Sequence, residues 1–417
     1  MIRILISGIL LVLVSRVICD DDDDDYYLGS TSEEDGLSYQ DTLYDSRDYP
    51  LNLEGSIRQR LALNGAIAEP GKSFVCSPIS ALMPIGKLAL GATGTCKSQL
   101  EEAVGVRSRA ELKKSFQSLL AGLKSLSGVK LTVCSRIYVS KDHTLKSEFK
   151  GDAKDIFKST VKRINMNKPD KVARKINSWV KEKTKNLIPE IIQPNSISPH
   201  ASVILVNAVY FSGNWMNKFH NIEMRDFYTA TDIRKVPMMT REGKYKYTKN
   251  DALDCQLIEI PYVGGQASFI IFLPNTKDGL PLLLYKLKLA PDLMQTAINK
   301  MRVENIILSI PKFKTTTELD LKVSYEKLGL NQMLKPEKSG LNEIVTGDNH
   351  LHVSKAIQKA VIDVNEHGTE AAAASGMEIS NVMKIITKNI FNANKPFYYF
   401  IKIRKEKIFT GTFVGDD

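Results

Sequence analysis

Val361-Ile-Asp-Val-Asn-Glu-His-Gly-Thr-Glu-Ala-Ala-Ala-Ala-Ser-Gly376 decides the fold. An apolar strand-like run ends at Val364, and from Gly368 to Gly376 the residues are small, with Glu370 as the one charge among them. No strong secondary-structure signal returns until Lys395-Pro-Phe-Tyr-Tyr-Phe400. That leaves about 30 residues of connection where compact domains spend about 4 to 6. A connection of that length is a functional loop or a disordered tail, and apolar strands flank this one on both sides. Alternate side chains of a strand share a face, so Thr369, Ala371, Ala373 and Ser375 would all point into a core while Glu370 points to water. With Ala372 and Ala374 between them, the four alanines suit close insertion between existing β-strands.

Working outward, other motifs fall into order around this stretch. They are Phe74-Val-Cys-Ser-Pro-Ile-Ser-Ala-Leu82, Leu90-Gly-Ala92 and Val206-Asn-Ala-Val-Tyr-Phe-Ser-Gly-Asn-Trp-Met-Asn-Lys-Phe219. Val236-Pro-Met-Met239, Ile271-Phe-Leu-Pro-Asn275, Ile310-Pro-Lys-Phe313 and Asn394-Lys-Pro-Phe-Tyr-Tyr-Phe400 follow. Each is weak alone, but together and in register they resemble the serpin family from about residue 55 to the C-terminus. The stretch at 361–376 resembles the reactive-loop hinge of its inhibitory members. The resemblance implies an α+β fold with three β-sheets, about eight to nine helices and an exposed reactive loop.

What the resemblance implies for single residues follows motif by motif. Glu366, Gly368 and Thr369 begin the hinge, and Glu370 to Ala374 continue it. Ser77, Ser80 and Asn207 match a polar cluster beneath the point where the main sheet opens, and Trp215 matches a tryptophan near where the loop first enters. Gln358 in Ser354-Lys-Ala-Ile-Gln358 stands where many members carry a histidine of that cluster. Glutamine can donate and accept hydrogen bonds, so the cluster is kept, without a histidine's pH sensitivity. The cleaved residue usually lies 16 positions after the hinge glutamate, here Val382 with Met383 following. A small aliphatic side chain suits an elastase-like pocket. A shift of two places Lys384 before Ile385 and makes the target trypsin-like. The expected function is therefore a suicide inhibitor of extracellular serine proteases acting in a proteolytic cascade. The alternative is a non-inhibitory carrier, storage protein or chaperone on the same scaffold, though such members tend to carry charged, proline or bulky hinge residues, and none stands at an inward position here.

Length and composition agree with one large unit. The chain has 417 residues, 43% of them hydrophobic, enough for a substantial core. No linker composition or internal repeat divides residues 55–417. Val172, Ile176, Trp179 and Val180 share one face of a helix, and strand-like runs occur at 202–211, 268–273, 305–310 and 397–403. Residues 1–19 have a basic residue, Arg3, near their start and then a short apolar run, which reads as a signal peptide and places the mature protein outside the cell. The five cysteines then fall to Cys76, Cys96, Cys134 and Cys255. A Cys96–Cys134 bridge and buried free thiols both remain open, because spacing cannot choose among pairings.

Charge is unevenly distributed. Residues 20–54 carry thirteen carboxylates against Arg47, and Arg3 and Arg16 precede them, so a net charge of +10 places +20 on residues 55–417. The segment 20–54 lacks apolar content and reads as disordered. Its Tyr26 and Tyr27 sit beside acids, as sites of tyrosine sulfation do. The segment resembles that of a heparin-activated member of the family, whose acidic tail engages a basic surface on the protease. Arg107, Arg109, Lys113, Lys114 and Lys124 fall in the segment matching the family's heparin-binding helix, with Lys171, Arg174, Lys175, Lys181, Lys183 and Lys185 on a second amphipathic stretch. A charge run is usually just a solvated helix face, and that is the favoured reading of each patch. A sulfated polysaccharide of the heparin-like glycosaminoglycan type is the candidate polyanion, whereas no nucleic-acid, membrane or oligomer signal is evident, so a monomer is expected.

Enzymatic signatures are missing: there is no Gly-x-Ser-x-Gly, no His-Glu-x-x-His, no phosphate-binding glycine loop and no Cys-x-x-Cys. His350 and His352 would share a strand face, but two ligands without a third make a poor metal site. They read as surface or satisfied histidines, and no cofactor or metal is expected.

Overall fold

The computed structural model describes residues 63, 65, 67, 71–124, 126–347, 350–368 and 388–416. Its central sheet runs in the order β11 (Phe313–Asp320), β13 (Val353–Val364), β5 (Val203–Gly213), β2 (Val129–Ser140) and β4 (Val161–Ile164). β11 and β2 lie antiparallel to their inner neighbours, whereas β13 and β5 pair in parallel.

β5 is buried along its whole length, because both faces of the sheet are covered. Strand alternation sends Val203, Leu205, Val209 and Phe211 into one core and Ile204, Val206, Ala208 and Tyr210 into the other. On β13, Ala356, Ala360 and Ile362 join the first core and Ile357 and Val361 the second. By the same alternation Asn207 and Gln358 face the first, larger core.

That core contains the second sheet. It is built from β1 (Phe74–Cys76), β16 (Glu406–Phe413), β15 (Phe397–Ile403), β9 (Ala267–Pro274), β8 (Cys255–Pro261), β7 (Ile233–Asn250), β10 (Arg302–Pro311) and β14 (Asn389–Asn392), with β6 (Asn221–Tyr228) on β7. A third sheet pairs β3 (Thr144–Leu145) with β12 (Val345–Thr346). The helices are α1 (Pro78–Ala89), α2 (Gly94–Val104), α3 (Arg109–Lys124), α4 (Ser147–Phe157), α5 (Pro169–Lys183), α6 (Leu280–Leu289), α7 (Asp292–Asn299) and α8 (Leu321–Lys327). Three sheets and these helices give the α+β architecture that the resemblance implies.

α1 starts at an N-cap serine, Ser77, with Pro78 at the first helical position, and every residue of it is buried. It therefore crosses behind the central sheet as a core element. α5 covers the opposite face. Its Val172, Ile176, Trp179 and Val180 are buried in one cluster with Tyr138 of β2, Tyr210 of β5 and Val361 of β13. Burying such side chains contributes about 1.5–3 kcal/mol each. The like-charge pair Lys171 and Lys175 at i,i+4 costs only about 0.2–0.5 kcal/mol, so packing sets the helix.

The Cys96–Cys134 bridge does not form. Cys96 on α2 is a free buried thiol, as are Cys76 and Cys255, and Cys134 is buried in β2. Burial pushes the Cys96 and Cys255 thiols up to about 12, which keeps them protonated and unreactive.

Candidate functional site

The parallel seam between β13 and β5 runs from Val353 opposite Val203 to Ile362 opposite Phe211. Parallel ladders are slightly less stable per residue than antiparallel ones. The ladders on either side of it, β11/β13 and β5/β2, are antiparallel, so the seam is the weak line of the inner strands.

Midway along the seam, Gln358 stands directly opposite Asn207, and both are fully buried. Gln358 Oε1 accepts from the Ser77 backbone N–H at 3.0 Å, while Nε2 donates to Ser77 O and Ser80 Oγ, each at 3.0 Å. The amide thus docks on Ser77 as a strand would. Ser80 Oγ donates to Ser77 O at 3.1 Å, and Asn207 Nδ2 donates to Ser80 O. One α1 N-terminus therefore holds both strands of the seam. Asn207 Oδ1 is buried and has no partner. A buried acceptor left unpaired costs about 1–3 kcal/mol, so the closed seam stores a polar debt at its centre.

At the upper end, β13 leaves the sheet through a turn in which Asn365 and Gly368 exchange backbone hydrogen bonds of 3.0 and 3.1 Å. Trp215 Nε1 donates to Asn365 O at 2.8 Å, its backbone N–H donates to His367 O at 3.1 Å, and Phe219 N–H donates to Glu366 O at 3.0 Å. The indole stacks on Tyr262 with ring centroids 4.5 Å apart and an 11° interplanar angle. Gly368 has φ +114°, and a Cβ there would lie 2.0 Å from Gly213 O. Only glycine fits. Lys312 Nζ pairs with Glu366 at 2.8 Å. Partial burial pushes the Glu366 carboxyl up, but the hydrogen bond and charge of Lys312 outweigh it and hold it below the usual range.

The structure thus brings Ser77, Ser80, Asn207 and Gln358 together, and sets Trp215 against the turn that contains Glu366 and Gly368. Asn365, Lys312 and Tyr262 complete the upper clamp and carried no sequence signal of their own, except that Asn-Glu-His-Gly reads as a turn. Thr369 to Ala374, Val382 to Ile385, Tyr26 and Tyr27 lie outside the described residues. The chain continues from Lys388 into β14, which pairs in parallel with β10.

The basic patch on α3 is only partly available. Arg107 and the side chains of Lys113 and Lys114 are exposed. Arg109 is instead tied to α4, 3.0 Å from Glu148 and also bonded to Asp152. His350 and His352 precede β13 and do not share a strand face. Among the described residues no cluster of three or more His, Cys, Asp or Glu side chains could hold a metal ion.

Comparison with known proteins bears on this geometry. A family model described as Serpin (serine protease inhibitor) matches residues 59–415. The chain is 38% identical over 351 residues to Antitrypsin of Bombyx mori, covering 83% of this chain and 89% of that one. It is 30% identical over 349 residues to Leukocyte elastase inhibitor of Equus caballus, covering 80% and 90%. Its fold is similar to that of native protease nexin-1 solved with heparin, with a TM-score of 0.77, 26% identity, and 88% and 99% of the two chains covered.

Proposed function

The chain belongs to the serpin family of serine protease inhibitors, and we propose that it traps its target as a suicide substrate by inserting residues from 369 onward into the β5/β13 seam. The observation that carries this is the seam itself. It is a parallel pair whose upper end lies where Gly368 hands the chain to the small-residue hinge. A strand descending from Gly368 would run antiparallel to both β13 and β5. Insertion would then replace one parallel ladder with two antiparallel ones and give every inserted backbone group a partner. The gain is available only after cleavage frees the loop, so function rests on kinetic trapping of the closed sheet.

In the proposed reaction the protease serine attacks the Val382 carbonyl. The Val382–Met383 peptide bond breaks, the new Met383 amine takes the proton, and an ester joins Val382 to the protease. Similarity to an elastase inhibitor supports Val382, whereas similarity to an antitrypsin supports cleavage after Lys384. Incubation with elastase-like and trypsin-like proteases is expected to give an SDS-resistant complex at near-equimolar stoichiometry. Sequencing the released C-terminal peptide should show Met383 or Ile385 at its start. Clean cleavage without a complex would sink the inhibitory reading in favour of a carrier or storage role.

We further propose that the protein is secreted, regulates an extracellular cascade, and is accelerated by a sulfated polysaccharide acting with the acidic segment. The likeness to a heparin-bound neighbour and the opposed charges of residues 20–54 and 55–417 support this. Exposed charges are screened within about 10 Å at 0.1 M salt, so the segment must touch a basic patch to matter. Heparin on Arg107, Lys113, Lys114 and Lys124 would release it toward the protease, and sulfation at Tyr26 and Tyr27 would strengthen that contact. The association rate is expected to rise with heparin in the full chain and to rise less in one starting near Gly55. An equal response in both rules out the segment's part.

A further inference from the structure

The lower end of the seam carries a second polar assembly that the motifs did not anticipate. Ser202, just before β5, donates its backbone N–H to Ser354 Oγ at 2.8 Å, and His352 N–H donates to Ser202 Oγ at 3.4 Å. Both bonds cross from the β5 side to the β13 side, where a register shift lies between Val353 and Lys355. Two imidazoles close the ring, with His143 Nε2 3.2 Å from Ser202 Oγ and His352 Nε2 3.1 Å from Ser354 Oγ. His352 Nδ1 lies 3.0 Å from His350 O. A carbonyl can only accept, so Nδ1 carries the proton and Nε2 accepts from the Ser354 hydroxyl.

The ring has one consistent direction. Ser354 Oγ accepts from Ser202 N–H and donates to His352 Nε2. Ser202 Oγ accepts from His352 N–H and donates to His143 Nε2. Both imidazoles must be neutral for this. Protonation turns each Nε2 into a donor, so each serine hydroxyl loses its acceptor. It also places two cations in one half-buried site.

We propose that His143, His352, Ser202 and Ser354 form a pH-sensitive latch that holds the lower end of the β5/β13 seam shut at neutral pH and releases it in acid. The latch rests on the strand-insertion reading above, since the last residues of an inserting strand must part Ser202 from Ser354. Among the described residues, the titratable groups acting on His143 are Asp142 on its own turn and His350 and His352 ahead of β13. Arg163 of β4 reaches the neighbouring Lys141 carbonyl at 3.2 Å, and Asp320, Lys322 and Lys355 line a cavity of about 230 Å³ beside Ser354. Burial lowers the His143 proton affinity, Asp142 raises it, and His352 and His350 lower it again, with a net shift below the ordinary imidazole value. The closed seam therefore binds this proton more weakly than an open one. As pH falls through about 6.5, open states gain. The histidine absent at Gln358 in the middle of the seam is thus replaced by two at its foot.

The test offers the protein a synthetic peptide of residues 369–382 at pH 7.4 and pH 5.5 and measures its rate of uptake. Amide exchange at 203–205 and 353–357, corrected for the intrinsic chemical rate, is followed in parallel. Uptake and exchange are each expected to be about fivefold faster in acid, the equivalent of one net hydrogen bond of about 1 kcal/mol. The acid effect should vanish in a His143→Gln, His352→Gln double variant, whose amides keep hydrogen-bonding capacity without titrating. Equal rates at the two pH values, or the same acid effect in the double variant, overturn the latch. If no peptide enters at either pH, strand insertion fails as a reading, and the exchange rates alone decide the latch.

Discussion

Thr369→Arg is expected to turn the inhibitor into a substrate that proteases cut and release. Residue 369 follows Gly368, whose backbone lies against Asn214 at the head of the seam, so in the proposed insertion its side chain would be the first to pass between the strands. It shares its side with Ala371, Ala373 and Ser375, and the seam residues it must pass, Phe211 and Ile362, are fully buried. A guanidinium forced between those apolar side chains would be a buried charge, which costs about 3–5 kcal/mol when uncompensated. Each 1.36 kcal/mol added to a barrier slows a step about tenfold. Insertion would then fall behind hydrolysis of the ester. The measurement is the ratio of inhibitor consumed to protease trapped, expected to climb from near-equimolar to a large excess, while Thr369→Ala stays near-equimolar. Full trapping by the arginine variant would show that the hinge register is wrong.

Trp215→Ala is expected to lower the unfolding midpoint more than any other single change at the upper clamp. The indole is 1% exposed, stacks on Tyr262, and meets Phe219 and Phe269 edge-on with centroids 6.0 Å away. Truncating a buried tryptophan costs about 3–5 kcal/mol, against a typical total of about 5–15 kcal/mol. Trp215→Phe keeps most of the stacking but strands the Asn365 carbonyl, at about 1–3 kcal/mol. Denaturant unfolding should rank natural protein above Phe above Ala, with faster amide exchange at 365–368 in both variants. Two variants indistinguishable from the natural protein would remove Trp215 from the clamp.

The contrast between what the sequence foretold and what it hid follows contact distance and chemistry. The α5 stripe was legible because Val172, Ile176 and Trp179 are spaced by the helix period. β5 was legible as a continuous apolar run, the mark of a strand buried on both faces. Ser77, Asn207 and Gln358 were placed together only through resemblance, since no local pattern links residues so far apart in the chain. The foot of the seam escaped for the same reason. His143 meets Ser202 across 59 positions, and Ser202 meets Ser354 across 152, so each histidine alone reads as an ordinary surface residue. Arg109 looked like a free cation because its carboxylates, Glu148 and Asp152, come 39 and 43 positions later. Cys96 and Cys134 illustrate the converse. Their spacing permitted a bridge, but the Cys96 thiol is free.

α5 shares one buried cluster with residues of the strands on both sides of the closed seam. Admitting one more strand widens a sheet by about 4.8 Å, so α5 must shift its footing as the strand passes. The chain contains two tryptophans, and they stand at the two places this matters. Trp215 sits at the head of the seam. Trp179 sits on the buried face of α5, with the Arg136 guanidinium 4.2 Å from its ring and Tyr138 edge-on at 6.4 Å. The protein therefore carries its own pair of optical clocks. Fluorescence from variants keeping one indole each would time the strand's arrival separately from its passage, with no dye attached.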